Sequence, residues 1–147
     1  MLALAGCGAP GLGEPANLGV DGADRIEVRK VVPVPSDEIA VDEADRLATG
    51  FGEFAFTVAT ITDAAQVAAL VDALDDARYI DTGGLVYDLS NPQYEVVFFA
   101  AEAELARLGY YVELGNWGRH EVPGRWLDDR WLLLAVTAEL PAGVVAD

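Results

Sequence analysis

His120 is the one histidine of this 147-residue chain, set in Gly118-Arg119-His120-Glu121. An imidazole is the side chain best suited to moving protons or ligating metals near neutral pH, but only with partners brought from elsewhere in the chain. Glu121 and the pair Asp128-Asp129 are the nearest carboxylates in sequence. A hydrolase or metal-dependent enzyme using His120 with these acids is therefore one expectation. A serine nucleophile could come only from Ser36 or Ser90, and neither stands in a Gly-x-Ser-x-Gly elbow. The densest acidic run, Asp37, Glu38, Asp42, Glu43 and Asp45, lacks the glycine that a calcium loop needs at its sixth position, and reads as a solvated face. The early glycines Gly6, Gly8, Gly11 and Gly13 follow no predicted strand and precede no helix, so they cannot form a nucleotide cradle. No metal and no cofactor is expected.

Aromatic side chains offer a second kind of chemistry. Trp117, Trp126 and Trp131 lie close to Tyr110 and Tyr111, and flat ring faces in a loop-rich region can hold a sugar, a peptide or a partner's side chain. If Tyr110 points inward along a strand, Tyr111 points outward, and Trp117 in Gly115-Asn116-Trp117-Gly118 would sit in an exposed turn. Tyr111, Trp117 and Trp126 thus form the candidate binding face; the alternative is that all three tryptophans fill the core of a small sheet.

Cys7 is the third reactive group. As the sole cysteine it can form no intrachain disulfide and no cysteine-based zinc site. Leu4-Ala5-Gly6-Cys7 resembles the lipobox of bacterial lipoproteins. That resemblance implies cleavage before Cys7, a diacylglycerol on its sulfur, and a membrane-anchored domain on the extracytoplasmic face. An apolar signal core takes about 7–15 residues, more than Met1 to Gly6 supply, so residues 1–7 are expected to be the remnant of a signal peptide. Residues 8–24, rich in glycine and proline, are expected to be a flexible tether, about 23 Å in coil span. Two acyl chains make such an anchor stable where one is marginal.

Nine basic and 25 acidic residues leave a net charge of −16. Nucleic acid, bound through clustered Lys and Arg, is thereby disfavoured as a partner. The hydrophobic share of 52% is too high for disorder, and the length suits one core rather than two.

The elements that must position these groups are read from periodicity. Arg25 to Val34 alternates, with Ile26 and Val28 against Arg25, Glu27 and Arg29, as a half-buried strand does. Ser36 to Gly50 is expected to be an exposed loop. Phe54, Phe56 and Val58 are expected on the core face of the next strand, which runs to Ile61. Asp63 can cap a helix, and Val67, Leu70, Val71 and Leu74 follow at helical spacing, so an amphipathic helix over about Asp63–Arg78 should pack on one face of the sheet. Leu85–Leu89 and Tyr94–Phe99 flank the turn residues Ser90-Asn91-Pro92-Gln93 as a hairpin. Ala100–Leu108 favours helix by propensity, yet the simplest topology returns Tyr110–Leu114 antiparallel to Tyr94–Phe99. Gly115–Gly124 reads as a loop, and Arg125–Leu127 with Arg130–Val136 as a last hairpin.

The sum is an α+β domain over 25–141, with a tail at 142–147 and a mainly antiparallel sheet of about five or six strands. Ile61-Thr62-Asp63, Val67, Leu70, Leu74 and the strand from Tyr110 to Gly115 resemble small lipoproteins of Gram-positive bacteria. The resemblance implies a compact module outside the membrane and brings no catalytic residue. The expected function is non-catalytic: binding of a protein, peptide or cell-wall glycan, or association with the envelope.

Overall fold

The structure is a computed structural model that describes residues 11–32, 46–49, 54–81, 92–112, 116–120, 131–136 and 138–140. Its elements are β1 Gly11–Pro15, β2 Arg25–Val32, β3 Leu47–Ala48, β4 Phe54–Ile61, α1 Ala64–Asp75, β5 Arg78–Asp81, β6 Tyr94–Ala100, β7 Ala103–Tyr111, β8 Asn116–His120 and β9 Trp131–Ala135. The strands form one sheet in the order β1-β5-β9-β8-β7-β6-β2-β4-β3, and each pairing is antiparallel. The α+β class and the single helix on an antiparallel sheet agree with the sequence, but nine strands among the described residues replace the expected five or six.

Helix α1 forms where the pattern places it. The Asp63 carboxylate accepts the Gln66 amide at 3.0 Å, and Val67, Leu70, Val71 and Leu74 are buried on the sheet. Asp72, Asp75 and Asp76 face solvent. The helix ends at Asp75, short of Arg78, because the Ala77 amide turns back to the Leu74 carbonyl at 3.1 Å and releases Arg78 into β5.

The alternation of β2 also holds. Ile26 and Val28 are buried in the helix-side core with Val96, Phe98, Leu108 and Leu134, while Arg25, Glu27 and Arg29 take the opposite face. The neighbouring strand β6 is buried from Tyr94 to Phe99 without interruption, so both of its faces are covered.

Four expectations are corrected. In β4 the residue Val58 is an extra one: Val28 pairs with Ala59 and Arg29 with Thr57. This bulge changes the phase of the strand, so that Ala55, opposite Val31, and Ile61, opposite Ile26, are buried on opposite faces of the sheet, while Phe54 and Val58 are 39% and 41% exposed. The helical propensity of Ala100–Leu108 is overridden, and β7 pairs with β6 from Ala100↔Ala103 to Tyr94↔Tyr110. A two-residue turn with Ala101 at φ 53 closes that hairpin, its amide held by the Asp24 carboxylate at 3.0 Å. Asn116–His120 is the strand β8 and not part of a loop, paired on both sides. Leu85–Leu89, Ser90-Asn91, Ser36 to Asp45 and Arg125–Leu127 lie outside the described residues.

The fourth correction concerns the tether. Residues 11–24 belong to the fold: β1 pairs with β5, and Ala16, Leu18 and Val20 are buried in the core. Their two-residue spacing is a strand pattern that the surrounding glycines obscure. Gly22 at φ 90 follows Asp21 in a turn closed by the Ala23 amide on the Val20 carbonyl at 3.1 Å, a conformation that L-residues resist. Each of Leu18 and Val20 contributes about 1.5–3 kcal/mol on burial. Removing residues 11–20 is therefore expected to lower stability by about 3–6 kcal/mol relative to a chain starting at Gly11, as read from urea midpoints. A flexible tether would leave the midpoint unmoved.

Candidate functional site

The aromatic residues of the expected binding face go to different places. Tyr110 and Trp117 are direct cross-strand partners on the helix side of the sheet. Their rings meet edge to face, with centroids 5.0 Å apart and planes at 68°. Trp117 is 0% exposed and donates its indole N–H to the Ala138 carbonyl at 2.8 Å. It is a core residue and not an exposed turn residue, because β8 places it inward opposite Tyr110. Tyr111 lies on the other face of the sheet, as alternation requires, but is buried there as well. Trp126 lies outside the described residues. Tyr111 and Trp117 therefore do not form one exposed face.

Burial pushes the Tyr111 hydroxyl above the ordinary tyrosine range, and burial with the Glu139 charge does the same for Tyr110. With the folded value raised, the unfolded chain loses its proton first as pH rises. Stability is then complete below about pH 10 and declines above it. Tyr111→Phe is expected to flatten this alkaline limb in melts taken between about pH 9 and 11, while the wild-type chain loses stability across the same window.

His120 ends β8, its backbone in register with Trp131. Ser36, Ser90, Glu121, Asp128, Asp129 and the acidic run from Asp37 to Asp45 lie outside the described residues, as does Cys7. Among the described residues no cluster of three or more His, Cys, Asp or Glu side chains stands ready to hold a metal ion.

The polar chemistry gathers instead on the sheet face opposite α1. Here Arg25, Glu27 and Arg29 of β2 meet Glu95 of β6 and Glu104 and Arg107 of β7. Glu95 is 2% exposed and Arg29 is 7% exposed. Arg29 donates Nη2 and Nε to Glu27 Oε1 at 2.8 and 3.2 Å, and its Nη1 stands 3.9 Å from Glu95 Oε1. Arg107 reaches the same Glu95 oxygen at 3.3 Å and clasps Glu104 with two bonds of 2.7 and 2.8 Å. Those bonds hold the Glu104 carboxyl below its usual range and raise Arg107. The Arg25 guanidinium lies over the Phe99 ring, 4.3 Å from its centroid, where the negative face of the ring attracts the cation.

Three cations and three anions thus balance one another. In a chain of net charge −16 this face concentrates a third of the nine basic residues, and it spends them on internal pairing. Alternation in β2 separates these charges from Ile26 and Val28 but does not reveal their pairing with Glu95. The available signal was a single charge inside the apolar run Tyr94-Glu95-Val96-Val97-Phe98-Phe99, which demands a partner when both faces are covered.

Two other surface features complete the picture. An open groove of about 410 Å³ runs beside α1, lined by Gln66, Ala69, Leu70, Ala73, Ala138 and Glu139. At the far end of the sheet, Phe54 and Val58 are exposed beside half-buried Phe56, and the Arg46 guanidinium lies 5.7 Å from the Phe54 ring centre.

The fold and these surfaces define an antiparallel α+β module with a paired ionic face. Compared with known proteins, the chain matches no protein-family model, no curated protein and no solved structure.

Proposed function

We propose that this chain is a lipid-anchored module on the extracytoplasmic face of the cell membrane, acting by binding or envelope association and not by catalysis. The observation that carries this reading is Leu4-Ala5-Gly6-Cys7, with Cys7 the only thiol of the chain. An acyl-bearing cysteine needs no second sulfur, and an exported domain without disulfides must hold itself together by packing and ion pairs. The all-antiparallel sheet, covered on both faces of β6, and the pairing of Glu95 with Arg29 and Arg107 supply that cohesion.

A protein, peptide or cell-wall glycan is the kind of partner such a module would hold. Among the described residues the apolar surface open to it is that of Phe54, Phe56 and Val58. Trp117 is withdrawn from that role by its burial.

Expressed with its complete export signal, the Cys7→Ala protein is expected to move from the membrane pellet to the soluble fraction. Intact mass of the native protein should show the acyl chains on Cys7. Detergent-dependent extraction of Cys7→Ala, or a bare thiol in the native protein, would overturn the reading.

A further inference from the structure

Resting on the lipid-anchor reading, we infer that the acylated chain holds the outer edge of β1 close to the lipid headgroups, with β4 on the side of the sheet far from the anchor. The argument is one of chain length and register. Strand β1 begins at Gly11, whose partner is Asp81 of β5. Only Gly8, Ala9 and Pro10 separate Gly11 from Cys7. Four residue steps span at most about 14 Å even when fully extended. A headgroup layer takes up about 5–7 Å of that length, so Gly11 stays within about 10 Å of the membrane surface.

Residues beyond Gly11 provide no slack. The Ala16 amide donates to the Ala77 carbonyl at 2.9 Å, and Arg119 Nη1 donates to the Ala16 carbonyl at 2.9 Å and to the Tyr79 hydroxyl at 3.2 Å. Ala16, Leu18 and Val20 are buried behind them. The fold therefore begins at the tether, with no loose arm after Gly11.

Strand β1 is one edge of the sheet, and β4 lies seven strand positions away. At about 4.8 Å per position this is about 34 Å along the sheet from the tethered edge. Phe54 and Val58, exposed on β4, are thus carried on the side of the sheet far from the anchor.

Acylation consumes the only native thiol, so one introduced cysteine can be labelled alone. The acylated protein carrying Asp81→Cys, Pro15→Cys or Thr60→Cys would be reconstituted into phosphatidylcholine–phosphatidylglycerol vesicles, with a donor dye on the new thiol and an acceptor in the headgroups. Energy transfer is expected to be several-fold stronger from positions 81 and 15 than from 60. Inserting about ten Gly-Ser residues after Gly8 should weaken it at 81. Two near-edge sites guard against one label unfolding the strand. Equal transfer from 81, 15 and 60, or no response to the insertion, overturns the orientation while acylated Cys7 in the mass spectrum leaves the anchor intact. A bare Cys7 with no vesicle binding overturns the anchor and the orientation together.

Discussion

Trp117→Ala is expected to lower stability by about 3–5 kcal/mol, the cost of emptying a large buried aromatic site. The ring is fully enclosed, it meets Tyr110 edge to face, and it ties β8 to the segment at Ala138 through its indole N–H. A domain of this size has about 5–15 kcal/mol in total, so the variant should lose a large share of its stability. Trp117→Phe keeps most of the apolar contact and removes only the donor, leaving the Ala138 carbonyl without it. A loss of about 1–3 kcal/mol is expected there. Denaturant melts of both variants give the check. A cost below 1 kcal/mol for Trp117→Ala would place the ring at the surface and restore it to the binding face.

Glu95→Ala is expected to cost about 3–5 kcal/mol, because it strands part of the charge of Arg29 and Arg107 in a covered face. Arg29 keeps Glu27 at 2.8 Å and Arg107 keeps Glu104 at 2.7 Å, which argues for the lower end of that range. The double variant Arg29→Leu/Glu95→Leu should recover most of the loss, since it removes two opposite charges together and fills the space with carbon. The single-variant penalty should persist in 1 M salt, where exposed pairs are screened within about 3 Å. Double-mutant cycles measured by urea titration in low and high salt decide the matter. A penalty that vanishes with salt would mean that water reaches the cluster.

Where the sequence was legible, a single periodicity ran without interruption. The alternation of Arg25 to Arg29 and the helical spacing from Val67 to Leu74 each produced the element expected, because one face of each is apolar and the other is not. Legibility failed where two signals competed. Ala100–Leu108 carries the composition of a helix, but the pairing of β7 with β6 and β8 on its two sides outweighs a propensity worth a few tenths of a kcal/mol per residue. The bulge at Val58 splits β4 into two halves of different phase with no mark in composition. Glycines around Leu18 and Val20 resembled a linker because they are needed at positive φ, as at Gly19 and Gly22.

The sequence by itself determined the class of the fold, the placement of the helix and the chemistry available to Cys7, since these depend on local periodicity and on residue type. Only the tertiary structure decided which aromatic rings are withdrawn from solvent, that Glu95 shares its charge with two arginines, and that the N-terminal segment is a strand. Each of those depends on which strands become neighbours. Cross-strand register is a long-range property, set by the total burial that the sheet achieves and not by any stretch of residues within it.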